Sequence, residues 1–347
     1  MCQSICALNP GCLRVAFLGL LHPRGPIFRA WANLMNSLRL KLAFVLLASF
    51  AWSICDARVP PPPAPKPQNS FCNPPGGSTT NPFPGDMCFR INIPYGSDPL
   101  QKLDVYMPTG GAYKAPVILM VHGGGWYQGD KMDTSVVVNK VQKWVPTGTI
   151  FISITYPLVP KVNALQQAQS VALALGYAQR HATEWGGDPS KFVLMGFSAG
   201  AHLVSLVASS PSLVQSTPAS VRPQPWLGTV ALDSAIYDVV SMMNSPYRQS
   251  IFDDAFGSDP KLWTAASPVA QMKGRMAPFL AVCSSQVAYS CAWAQSFVDQ
   301  ALGYGTNALV LSQNMDHLQI NENLGLSSDY TTQVSAFMAA VYNGTLR

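Results

Sequence analysis

The segment Gly196-Phe197-Ser198-Ala199-Gly200 lies directly after an apolar run, Phe192 to Met195, and directly before the helix-like stretch Ala201-His202-Leu203-Val204. A serine between glycines at a strand-to-helix turn has its hydroxyl lifted clear of the backbone, because few residues other than glycine tolerate so sharp a bend on either side. The helix that follows directs its N-terminal N–H groups at negative charge developing there. Ser198 is therefore a candidate nucleophile. Upstream, His122-Gly123-Gly124-Gly125-Trp126 follows a second apolar run, Val117 to Val121. Three consecutive glycines let backbone N–H groups converge on one point without Cβ atoms in the way, as binding an oxyanion requires. The N–H groups of Gly124, Gly125 and Ala199 are the expected donors. Trp126 and Tyr127, next along, either line the site as substrate-binding residues or pack the loop.

A serine nucleophile needs a base. Four histidines lie beyond residue 57. His122 belongs to the glycine loop, His181 to a long polar helix face, and His202 to the helix after Ser198, pointing down it. His317, in Asn314-Met315-Asp316-His317-Leu318, follows the run Ala308 to Leu311 and is left as the candidate.

The H-G-G-G-W loop, the G-F-S-A-G turn and a late histidine, in that order, resemble the α/β-hydrolase superfamily. Within it they resemble the esterases related to hormone-sensitive lipase and to bacterial feruloyl esterases. The resemblance covers roughly residues 89–342. It implies a carboxylesterase that works through a serine, a histidine and an acid and needs no cofactor. Ser198 matches the nucleophile, Gly124, Gly125 and Ala199 the oxyanion donors, and His317 stands where such enzymes place the base. Asp188, in Gly187-Asp188-Pro189, resembles the structural turn before the nucleophile strand.

The acid departs from that pattern. In most of these enzymes it follows the strand matching Phe279 to Val282, yet here the loop Ser284-Ser285-Gln286-Val287-Ala288-Tyr289-Ser290-Cys291 holds no carboxylate. Asp299, the first acid afterwards, falls well into a helix. An acid can instead follow the preceding strand, and Asp233 ends the run Gly228 to Leu232. Asp233 is the expected partner of His317, with Asp238 as second choice. Two other readings stay open: an amide or peptide hydrolase with the same nucleophile, and a non-catalytic binding protein that kept the fold.

Runs rich in β-branched residues recur at Phe89 to Ile93, Leu103 to Met107, Val117 to Val121, Thr149 to Thr155, Phe192 to Met195, Gly228 to Leu232, Phe279 to Val282 and Ala308 to Leu311. These predict strands. Helices are predicted over Thr134 to Trp144, Asn163 to Trp185, Ala199 to Ser209, Ala292 to Leu302 and Thr331 to Tyr342. Alternation of the two implies an α/β fold with a mostly parallel sheet and helices on both faces. Functional groups then sit beyond the carboxyl ends of the strands.

Of the 347 residues, 48% are hydrophobic and 11% charged, a balance that excludes a disordered or coiled-coil chain. The net charge of +5 is concentrated at the start: from Arg58 onward 17 basic residues face 16 acids, leaving no basic surface for nucleic acid. No run of about 20 apolar residues appears, so a membrane-spanning protein is not expected. Arg39 and Lys41, an apolar stretch from Leu42 to Ile54 and small or polar residues to Ala57 have the layout of a signal peptide over 35–57. Residues 1–34 then form an upstream extension that adds nothing to the fold, and the proline-rich 58–70 a semi-rigid linker. The catalytic domain is expected over 71–347, in a secreted or periplasmic protein. Cys72–Cys88 and Cys283–Cys291 are the expected disulfides, against a buried free thiol at Cys283. Metal-ligand spacings, a P-loop and G-x-G-x-x-G are all missing, and Asn343-Gly344-Thr345 is a glycosylation triplet meaningful only in a eukaryotic secretory route.

Overall fold

The computed structural model describes residues 87–246 and 248–347. The upstream extension, the expected signal peptide, the linker and the first residues of the expected catalytic domain lie outside the described residues.

Eight strands form one sheet in the order β1-β2-β4-β3-β5-β6-β7-β8. They are β1 (Met87–Pro94), β2 (Lys102–Pro108), β3 (Ala115–Val121), β4 (Ile150–Ile154), β5 (Gly187–Phe197), β6 (Gly228–Leu232), β7 (Phe279–Ser284) and β8 (Ala308–Gln313). β2 runs antiparallel to β1 and β4, and every other pairing is parallel. This is the topology of the α/β-hydrolase fold.

The sequence predicts each strand because the central ones are buried on both faces and so read as continuous apolar runs. Their side chains still alternate. Val117, Leu119, Val121, Phe192 and Leu194 belong to the core on one face, while Ile118, Met120, Val193 and Met195 belong to the core on the other. The first face is covered by α2 (Ala164–His181) and α3 (Ala199–Ser209), the second by α1 (Thr134–Trp144) and α11 (Asp329–Tyr342). A capping box between Asn163 and Gln166 starts α2. The expected helix ends early: α2 stops at His181, a short 3₁₀ turn carries the chain to Trp185, and Gly186 closes it at φ 83°. A Cβ there would stand 2.2 Å from the Ala112 carbonyl oxygen, so the turn requires glycine.

Short helices that periodicity does not reveal fill the chain between α3 and β7: α4 (Pro211–Ser216), α5 (Val239–Met243), α6 (Ser250–Phe256), α7 (Pro260–Ala265) and α8 (Pro268–Gln271). Each is shorter than the two to three turns an apolar stripe needs to show itself, and α4, α7 and α8 are started by a capping side chain and an early proline. After β7 come α9 (Ser290–Gly303) and, after β8, α10 (His317–Glu322). Among the described residues no helix is long and apolar enough to cross a membrane.

The site is positioned by strand order. β3 leads to β4 on one side and pairs with β5 on the other, so the chain leaves β3 and β5 at the point where the winding reverses. Val121 pairs with Gly196, which sets the glycine loop and the serine turn side by side at the carboxyl edge of the sheet.

Candidate active site

Ser198 occupies φ 53°, ψ −117°, a conformation that L-residues rarely adopt. The turn is over-determined by its glycines. A Cβ on Gly196 would stand 2.4 Å from the Gly200 carbonyl oxygen, and one on Gly200 would stand 2.3 Å from the carbonyl oxygens of Val121 and His122. The Ser198 backbone is held by its N–H, which donates to the Leu232 carbonyl at 2.9 Å, and by its carbonyl, which accepts from Ala235 and His202.

His317 is the first residue of α10, whose N-terminus is closed by a capping box between Asp316 and Gln319. Its Nε2 lies 2.9 Å from Ser198 Oγ and its Nδ1 lies 2.6 Å from Asp233 Oδ2. A carboxylate against Nδ1 selects the tautomer with the proton there, so Nε2 accepts from the serine hydroxyl. The Phe197 ring lies against the imidazole, with centroids 4.8 Å apart. Asp233, at the end of β6, is the carboxylate on His317. Asp238 instead accepts from Ser241 N–H as the cap of α5, and Asp299 accepts from Gln295 on α9.

Asp233 is 2% exposed, and a carboxylate so buried needs hydrogen-bond donors. Its Oδ1 accepts from the Ser284 N–H at 2.8 Å and from the Ser290 hydroxyl. The Ser284 hydroxyl donates in turn to the carbonyl of Met315, two residues before His317. The loop without a carboxylate therefore supplies the donors for a carboxylate on the neighbouring strand. Ser284 and Ser290 escaped the sequence reading, and the signal available there was a serine-rich loop where an acid was expected. Cys283 and Cys291 are disulfide-bonded, so Cys283 is no free thiol. Cys88 is also disulfide-bonded, while Cys72 lies outside the described residues.

The glycine loop packs onto the serine: a Cβ on Gly123 would meet Ser198 Cβ at 3.0 Å. Gly124 and Gly125 adopt φ 103° and 60°. Among the described residues neither of their N–H groups has a protein acceptor, and the Ala199 N–H opens α3, where no intrahelical partner exists.

The loop is braced from behind. Of the two readings of Trp126, substrate wall or packing of the loop, the structure has the packing: it is 1% exposed, and its ring stands edge-on to His202 and Phe256. Its Nε1–H donates to His202 Nδ1 at 3.2 Å, and its carbonyl accepts from Gln167 at 2.7 Å. Burial of so large a ring, on a backbone at φ 68°, anchors the loop to the core. Tyr127 stays half exposed beside Gly125. His202 donates from Nε2 to the Ala266 carbonyl, and burial pushes its pKa down to about 4, so it is a neutral strut. His122 is buried, stacks on Tyr156 and donates from Nδ1 to the Gly123 carbonyl. Burial lowers its pKa too. His181 pairs with Glu184, far along α2. Asp188, expected in a turn before the nucleophile strand, lies instead at the start of β5 and accepts from Ser190.

A cleft of about 560 Å³ opens beside the loop, lined by Gly123, Gly124, Gln128, Phe197, Leu318 and Asn321. Among the described residues no group of His, Cys, Asp or Glu is arranged to hold a metal ion.

Residues 103–287, more than half of the chain, match the BD-FAE family. The chain belongs to the BD-FAE family. The matched span contains the glycine loop, Ser198 and Asp233, and ends before His317. This BD-FAE chain is 31% identical over 116 residues to a probable isoprenylcysteine alpha-carbonyl methylesterase of Arabidopsis thaliana, an alignment covering 33% of the chain and 24% of the plant protein. It thus spans well under two thirds of that relative's length. It is 26% identical over 253 residues to the kynurenine formamidase of Salmo salar, covering 69% of the chain and 78% of the relative. Among solved structures, esterase B from Lactobacillus Rhamnosis superposes with a TM-score of 0.62 at 18% identity, covering 89% of this chain and 98% of that one. That likeness concerns the fold.

Proposed function

We propose that the protein is a serine carboxylesterase acting through an acyl-enzyme on Ser198. The observation that carries this reading is the continuous hydrogen-bonded chain Ser198 Oγ–His317 Nε2, His317 Nδ1–Asp233 Oδ2, at 2.9 and 2.6 Å. Ser198 Oγ attacks the ester carbonyl as its proton passes to His317 Nε2. Asp233 remains an anion, keeps the ring in the required tautomer and stabilises the imidazolium. The carbonyl oxygen becomes an oxyanion between the N–H groups of Gly124, Gly125 and Ala199, each such donor being worth about 3 to 4 kcal/mol in the transition state. His317 then gives its proton to the departing alkoxide, and water repeats the sequence to release the acid.

The cleft beside Gly123 and Leu318 supports an ester of small or polymer-linked kind as substrate. The reading includes export, for which the signal-like residues 35–57 and the disulfide at Cys283–Cys291, suited to an oxidising compartment, are the support. Hydrolysis of short p-nitrophenyl esters by the wild type, abolished in Ser198→Ala together with fluorophosphonate labelling, is the expected result. Equal turnover by the Ser198→Ala variant would sink the reading, and a wild-type protein that neither labels nor turns over would favour a binding protein with an inert fold.

The resemblance to a formamidase favours amide hydrolysis as the second reading. Matched ester and anilide substrates of one acyl group separate the two, since a carboxylesterase should cleave the ester far faster.

A further inference from the structure

The ends of the loop between β7 and α9 are tied together next to the acid. Cys283 precedes Ser284 and Cys291 follows Ser290, and the disulfide joins the two cysteines across a separation of 8 residues with Cα atoms 5.0 Å apart. The two serines beside the bridge are the ones whose N–H and hydroxyl converge on Asp233 Oδ1, leaving Oδ2 for His317. Within the loop the Ser290 N–H donates to the Val287 carbonyl at 3.3 Å, and the Val287 N–H donates to Ser284 Oγ at 3.1 Å, so the bridge acts together with these short local bonds. Tyr289, which precedes Ser290, is 72% exposed and sits at φ 68°, and no side chain caps the start of α9. Cys283 is fully buried in the sheet, whereas Cys291 is only half-buried at the surface end of the bridge.

Resting on the esterase reading above, we propose that Ser290 is a positioning residue for Asp233 and that the Cys283–Cys291 disulfide holds it in place, so that reducing this bond lowers turnover. Ser290 touches neither substrate nor the reacting atoms in this scheme. It acts through Asp233: a buried carboxylate deprived of a donor reorients toward whatever donors remain and no longer holds the imidazole in line with Ser198. Breaking the bridge has the same effect by releasing the start of α9 from the end of β7. The reductant is a dithiol. One of its thiolates opens the S–S bond through a mixed disulfide, its second thiol closes the reagent into a ring, and two electrons and two protons end on Cys283 and Cys291 as free thiols.

The test compares the full chain as wild type, Ser290→Ala, Ser290→Thr and the double variant Cys283→Ala/Cys291→Ala, with Ser198→Ala as control. For Ser290→Ala, kcat is expected to fall by about 10- to 100-fold, the worth of one hydrogen bond to a charged group. KM should stay within about twofold and the melting temperature near that of wild type, because the lost interaction serves the acid rather than substrate binding. Ser290→Thr keeps the hydroxyl and should recover most of kcat. Dithiothreitol should lower kcat of the wild type while circular dichroism stays native. The double variant should be low from the outset and insensitive to the reagent, which separates this bridge from the disulfide of Cys88. Wild-type kcat in Ser290→Ala, or in a folded double variant, overturns the inference while Ser198→Ala remains dead. Activity surviving in Ser198→Ala would instead remove the esterase reading on which it rests.

Discussion

Asp233 reaches His317 across 84 residues of sequence, from the end of β6 rather than β7, with 2.6 Å between Oδ2 and Nδ1. The acid has moved one strand toward the nucleophile, and its backbone adopts φ 46° to aim the side chain back over β7. That position leaves Oδ1 facing the start of α9, where the two serine donors meet it.

Asp233→Asn should lower kcat by about four orders of magnitude while the melting temperature changes little, since an amide is isosteric but presents the wrong hydrogen-bonding partner to Nδ1. Single-turnover kinetics on a p-nitrophenyl ester measure it. Turnover within tenfold of wild type would take Asp233 out of the catalytic chain.

Gly124→Ala tests the oxyanion loop. The new Cβ would stand 2.1 Å from the Gln128 carbonyl oxygen at a φ of 103°, so the loop must shift and withdraw its N–H. A loss of about 10²- to 10³-fold in kcat is expected, in line with removal of one donor. Burst amplitude with an activated ester reports whether acylation is the step affected.

His202 links loop placement to pH. Its pKa is about 4 in the fold against 6.5 for an ordinary histidine, so the unfolded chain binds a proton that the native one refuses. Its contribution is fully present above about pH 6.5 and is lost progressively as pH falls toward 4. Urea midpoints of the wild type should therefore drop between pH 7 and 5. In His202→Gln, which has no such proton to take up, that drop should be smaller; an identical slope would show that other groups carry it.

Lys140 carries the same trend to alkaline pH. It is buried on α1, donating to the carbonyls of Asn321 on α10 and Ser135, and burial pushes its pKa down to about 7 while nearby Glu322 acts the other way. The unfolded chain holds that proton up to about pH 10.5, so stability should rise as pH climbs above 7. In Lys140→Met the rise between pH 7 and 9 should shrink, measured again by urea midpoints. Equal curves would mean that Lys140 keeps its proton in the fold.

The sequence alone determined the eight strands, the long helices and two parts of the site. Apolar runs and glycines report local physics: a strand buried on both faces must be apolar along its length, and the turns at Ser198 and Gly124 exclude Cβ atoms wherever the rest of the chain goes. The carboxyl edge of the sheet follows from the same alternation. What only tertiary structure decided is which distant groups meet. Asp233, Asp238 and Asp299 are alike in composition, and register and strand order place one of them 2.6 Å from His317. Trp126 reads as a candidate substrate wall until packing buries it against His202 and Phe256. Ser284 and Ser290 look like ordinary loop residues because the carboxylate that they satisfy lies on another strand, and hydrogen bonds between remote groups leave no periodic trace in the chain.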